Sequence, residues 1–161
     1  MKFKITDQYS QDIDAVFAAF MNPDFVKARS EAVGARNIDV TVSEEDGVYT
    51  LTITREMSSD APGALKKFIP AWSKTTQVET WKGDPGGPYS STTKANVDGI
   101  SVSITGKMKL SASGTGSVNV TETQIKVSIP FVGGKIEKFA GSASKEMLAK
   151  EYEYNKANIA P

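Results

Sequence analysis

The chain has 161 residues, with 19 lysines and arginines balanced by 19 aspartates and glutamates, and it contains neither cysteine nor histidine. That length suits a single unit spanning 1–161 with a sizeable core, and 39% hydrophobic with 24% charged residues excludes a disordered chain. Zero net charge offers no global attraction to nucleic acid, and the missing Cys and His exclude disulfides, thiolate chemistry, Ser–His–Asp triads and the usual zinc sites.

Residues 1–9 alternate, with Phe3 and Ile5 on one side, and read as a strand. Ser10 is placed to cap a first helix carrying Ile13, Val16, Phe17 and Phe20 at helical spacing. Asn22-Pro23 signals a second N-terminus, followed by Phe25, Val26, Arg29, Ala32 and Val33, with Gly34 as the stop. Ile38, Val40 and Val42 then alternate up to the hairpin turn Glu45-Asp46-Gly47, and Tyr49, Leu51 and Ile53 form the returning apolar face. Leu65, Phe68, Ile69 and Trp72 sit at i, i+3, i+4 and i+7 and predict a short amphipathic helix, a candidate lid within the segment 58–72.

Thr75 to Lys82 predicts a strand of ambiguous face, followed by the turn-rich run Gly83 to Pro88. Tyr89 to Val97 is a strand built largely of Ser and Thr. After Asp98-Gly99, the residues Ile100, Val102, Ile104, Met108 and Leu110 alternate cleanly. Val118 and Val120 lie in one phase and Ile125, Val127 and Ile129 in the other, which predicts a β-bulge within 121–124. Ile136, Phe139, Ala140, Ala143, Met147 and Tyr154 predict a long helix from Gly134 onward, with a frayed tail after Ala157.

This order, together with Asn22-Pro23-Asp24-Phe25-Val26 and the run Ile129-Pro130-Phe131-Val132-Gly133-Gly134-Lys135-Ile136-Glu137, resembles the START-like or helix-grip superfamily. Within it the chain resembles an uncharacterised family common in actinobacteria. The resemblance implies an α+β fold in which a curved antiparallel sheet of about seven strands wraps a long C-terminal helix, with two short helices after the first strand. It also implies a cavity between sheet and helix for a hydrophobic small molecule. The resemblance supplies no catalytic residues.

Three groups of residues are candidates for such a site. Ser91 and Thr93 share the inward face of their strand with Tyr89, Ala95 and Val97, and buried hydroxyls need partners. Ile104 and Met108 should line the same space, facing Phe139, Ala143 and Met147 and the small run Gly141 to Ser144. Arg55 continues the inward phase of Leu51 and Ile53, so it either meets an anion, a ligand carboxylate or Glu79, or lies at the strand end and reaches water. Gly133-Gly134-Lys135 lacks the frame of a phosphate loop and reads as a tight strand-to-helix turn.

The expected activity is binding of a lipid-like or polyketide-like molecule, without cofactor or metal. The alternatives are a cyclase- or isomerase-like enzyme using Tyr, Asp or Glu, and an interaction module with a filled core. The first residues, Met-Lys-Phe-Lys-Ile-Thr-Asp, lack a signal-peptide core and no run is long enough to span a bilayer. A cytoplasmic location, with no nucleic-acid partner and no stable membrane insertion, is the expectation.

Overall fold

A computed structural model describes residues Met1 to Pro161. Strand β1 (Lys2–Tyr9) leads into helices α1 (Ile13–Phe20) and α2 (Pro23–Ala32). Six strands follow: β2 (Arg36–Glu45), β3 (Val48–Ser58), β4 (Trp72–Lys82), β5 (Tyr89–Val97), β6 (Val102–Ser113) and β7 (Gly116–Val127). Helix α3 (Gly133–Asn158) closes the chain. The strands form one antiparallel sheet in the order β1-β7-β6-β5-β4-β3-β2, so the first strand pairs with the last and every other neighbour is joined by a hairpin connection.

Local chemistry sets the helix boundaries. Asn22 Oδ1 accepts hydrogen bonds from the backbone N–H groups of Asp24 (3.0 Å) and Phe25 (3.2 Å), and Pro23 occupies the first helical position. The cap of α1 is Asp12, whose Oδ1 accepts from Asp14 N and Ala15 N, and not Ser10. A carboxylate there complements the helix dipole, which a serine two residues earlier is too far out to do. Gly34, at φ +91°, lies in the left-handed region just past α2 and ends it. At the start of α3, a side chain on Gly133 would run into the Val127 carbonyl, so the strand-to-helix turn needs glycine.

Three apolar clusters hold the layers together. Helix α1 plugs one end of the curved sheet: Val16, Phe17 and Phe20 pack with Tyr9, Trp81, Tyr89 and Leu110, and the Phe17 and Tyr89 rings stack 3.8 Å apart. Ile159 joins this cluster and its carbonyl accepts from Gln11 Nε2, so the tail is anchored instead of frayed. Helix α2 covers β3 through Val26 against Leu51 and Ile53. At the opposite end Ala61, Leu65 and Ile69 pack on Ile136 of α3. Each large apolar side chain buried in these clusters contributes about 1.5–3 kcal/mol.

Two further sequence expectations fail for identifiable reasons. Residues 65–72 do not form an amphipathic helix: a 3-10 turn covers Gly63–Leu65, and Trp72 already begins β4. Pro70 disfavours helical backbone at Ile69, so the spacing cannot propagate. Nor does β7 bulge, since its register with β1 and β6 is unbroken. Its inward residues are Ser117, Asn119, Thr121 and Ile125, while Val118 and Val120 lie half-buried on the outer face. The apparent change of phase is a polar inner wall. An unforeseen irregularity lies in β2 between Arg36 and Asp39, where Asn37 has φ +52°.

Candidate functional site

Between the two plugged ends, α3 stands off the concave face of the sheet and leaves a cavity of about 330 Å³. Strand periodicity builds its wall. Val102, Ile104 and Met108 project inward from β6 but are only half-buried, because no protein atoms fill the space they face. Phe139 and Met147 of α3 are half-buried on the other side, and Ala143 between them is exposed. A side chain on Gly141 would meet Met1, so Gly141 serves helix-to-strand packing, while Ala143 and Ser144 stand on the cavity wall.

Arg55, Thr93, Ile104, Met108, Phe139, Ala143 and Met147 all line this space. Ser91 does not. It faces inward and is 5% exposed, but its cross-strand neighbours are Trp81 and Met108, and its hydroxyl has no hydrogen-bond partner. Two large flanking side chains hide it from the cavity.

Arg55 is buried and meets an anion, as its inward phase predicts, but the anion is a different one. Arg55 is 3% exposed, and Nη1 donates to Ser30 Oγ at 2.9 Å and to Glu151 Oε1 at 3.1 Å, while Nη2 lies 3.3 Å from Met147 Sδ. Its anion is therefore Glu151 of α3, not Glu79, and it does not reach water. Burial alone would raise the Glu151 carboxyl, but Arg29 and Arg55 outweigh it and hold the group below its ordinary value.

Arg29 belongs to the same wall. It is 7% exposed, its Nε lies 3.9 Å from Glu151 Oε1, and that Nε makes no hydrogen bond. Glu79 also lines the cavity, with Oε1 accepting from Gln77 Nε2 (2.6 Å) and Oε2 from Trp81 Nε1 (2.8 Å). Burial pushes the Glu79 carboxyl upward against these bonds and the pull of Arg29. Burial likewise pushes Asp7 up to about 6, opposed by Lys156, and raises the Tyr9 phenol, whose oxygen accepts from Asn155 Nδ2. The cavity thus has an apolar stretch and a polar stretch containing two arginines.

The sequence carried a signal for both missed charges. Arg29 occupies the apolar stripe of α2, three and four residues after Val26 and Phe25, and Glu151 follows Met147 by four on α3. A charge on a core-facing stripe requires a buried partner, and Glu151 meets Arg55 at 3.1 Å and Arg29 at 3.9 Å.

The architecture is that of the helix-grip fold, and solved structures of that kind superpose on the whole chain. The crystal structure of TTHA0849 from Thermus thermophilus matches with a TM-score of 0.63 at 13% identity, covering 99% of this chain and 100% of that one. The di-domain ARO/CYC StfQ from the steffimycin biosynthetic pathway matches with a TM-score of 0.61 at 11% identity, covering 98% of this chain and 50% of that one. Residues 4–159 match the family described as "Protein of unknown function (DUF2505)", and the chain belongs to that family. The uncharacterized protein Rv0481c of Mycobacterium tuberculosis is similar over 94% of this chain and 92% of its own length, at 24% identity. No helix is long and apolar enough to cross a membrane.

Proposed function

We propose that this protein binds a hydrophobic or amphipathic small molecule, lipid-like or polyketide-like, in the space between sheet and α3. One observation carries the reading: the inward apolar side chains Val102, Ile104, Met108, Phe139 and Met147 are half-buried around a cavity of about 330 Å³ whose two ends are plugged. Apolar walls facing unfilled space forgo dispersion contacts that an apolar guest restores. The neutral dye N-phenylnaphthylamine tests this. It should brighten on binding, and Ala143→Trp should abolish the signal while leaving the circular dichroism spectrum intact. Unchanged dye binding in that variant would count against this site.

A second reading, acid–base chemistry on a bound molecule as in a cyclase or isomerase, is favoured by the raised Glu79 and Asp7 carboxyls beside an apolar cavity. Native mass spectrometry of wild type and Glu79→Gln separates the two. The same co-purified mass in both supports binding alone. A wild-type ligand lighter by one water than that of the variant supports a cyclising dehydration.

A further inference from the structure

We propose that the ligand of this cavity carries a carboxylate head group and that Arg29 holds it, an inference that rests on the binding function proposed above. Two buried arginines face the cavity's polar stretch, and their bonding is unequal. Arg55 is engaged locally by Ser30, Glu151 and Met147. Beyond the Phe20 ring, whose centroid lies 5.9 Å from its guanidinium carbon, Arg29 has only a long contact, 3.9 Å, to the Glu151 oxygen that Arg55 already engages. Its Nε is buried without a hydrogen-bond partner. A guanidinium presents five N–H donors in a planar fork, and burying that fork without acceptors is costly.

The other carboxyls on the wall do not supply what is missing. Both Glu79 oxygens are engaged by Gln77 and Trp81, and Glu79 makes no ion pair with either arginine. Burial raises its carboxyl, opposed by these bonds and by the charge of Arg29. Asp7 is governed first by its own burial, and the cation that acts on it is Lys156, on the far turn of α3. Two fixed cations thus share one ion-paired carboxylate, Glu151. A single further carboxylate completes the set, and its geometry matches the fork in a bidentate pair. Helix α2 is pinned by the packing of Val26 and by the Asn22 cap, so the fork is held in place before any ligand arrives.

The ligand's apolar part then lies along Ile104, Met108, Phe139 and Met147, and its acid points toward α2. Displacement of N-phenylnaphthylamine by decanoate and by methyl decanoate reads this out. Wild type should bind the acid about tenfold more tightly than the ester, and Arg29→Met should bring the ratio of acid to ester affinity to about one. Arg29→Lys, which keeps the charge but loses the fork, should retain part of it. Equal affinity of wild type for acid and ester overturns the inference without recourse to any variant, so a poorly folded Arg29→Met cannot mask it. An acid preference that survives Arg29→Met overturns the assignment to Arg29. Failure of wild type to bind even the neutral dye would instead remove the proposed binding function, and this inference with it.

Discussion

Arg55 Nη1 lies 3.1 Å from Glu151 Oε1, joining the third strand to the last helix across 96 positions of sequence. Both groups are buried, so the pair is hydrogen-bonded largely out of contact with bulk solvent. Removing Arg55 leaves Glu151 buried with only the 3.9 Å contact to Arg29, and breaking a buried pair costs about 3–5 kcal/mol, more than the pair itself contributes. Arg55→Met should therefore lower the unfolding free energy by about 3 kcal/mol in a urea titration. Arg55→Met with Glu151→Leu and Arg29→Met, which removes the second cation along with the carboxylate, should recover much of that loss. A triple variant as unstable as the single one would show that Arg55 acts through its contacts with Ser30 and Met147.

Asp7 gives the domain a pH slope. Its folded value of about 6 lies above its ordinary 3.8, because burial disfavours the ionised form. The folded chain holds this proton to higher pH than the unfolded one. Stability from this group is thus lost as pH rises through the window from about 4 to about 6. Asp7→Asn should become progressively more stabilising, relative to wild type, between about pH 4 and about pH 7. Urea titrations at those two values decide it, and an identical difference at both would refute the linkage.

Local patterns made the sheet legible and left the polar wall obscure. The hairpin at Glu45-Asp46-Gly47 and the cap at Asn22-Pro23 are determined within a few residues, and both sit where their spacing places them. The inner face of β7 does not yield to the same reading. Period-2 alternation assigns the apolar side inward, but Ser117, Asn119 and Thr121 face in because α1 and α3 cover them and the cavity tolerates them. The strand phase of Arg55 points it inward, yet its partner Glu151 is fixed only by the closing of α3 over β3, a long-range event that no local spacing records. Arg29 is visible as a charge on an apolar stripe, although its meaning emerges only with Glu151 beside it.

Residues 59–71 close one end of the cavity. Ser59 N donates to the Ala71 carbonyl at 2.8 Å and ties the base of the segment, while Ala61, Leu65 and Ile69 seat it on Ile136. Leu65→Ala removes the centre of that contact and should cost the segment about 2–4 kcal/mol. Amides of residues 61–69 should then exchange faster while those of β5 and β6 do not change, and dye release from the cavity should accelerate. Faster exchange without faster release would show that ligands leave by another route, such as the wall beside Ala143.

The two tryptophans report on opposite environments. Trp81 is fully buried, lines the cavity and donates from Nε1 to Glu79, whereas Trp72 is 37% exposed with the Arg36 guanidinium 3.7 Å from its ring centroid. Trp72→Phe leaves Trp81 as the single reporter inside the site. Its emission should lie to the blue of wild type and resist quenching by acrylamide, since the indole is fully buried. Filling the cavity with decanoate or its methyl ester changes the surroundings of the Glu79 carboxyl that accepts from that indole and should shift the emission or change its intensity. In Ala143→Trp/Trp81→Phe/Trp72→Phe the remaining indole occupies the cavity itself, so adding either compound should leave its spectrum unchanged. Emission from Trp81 that ignores a ligand shown to displace the dye would place the ligand away from the Glu79 end of the cavity. The polar stretch around Arg29 would then have to be engaged without contact to the Trp81 side.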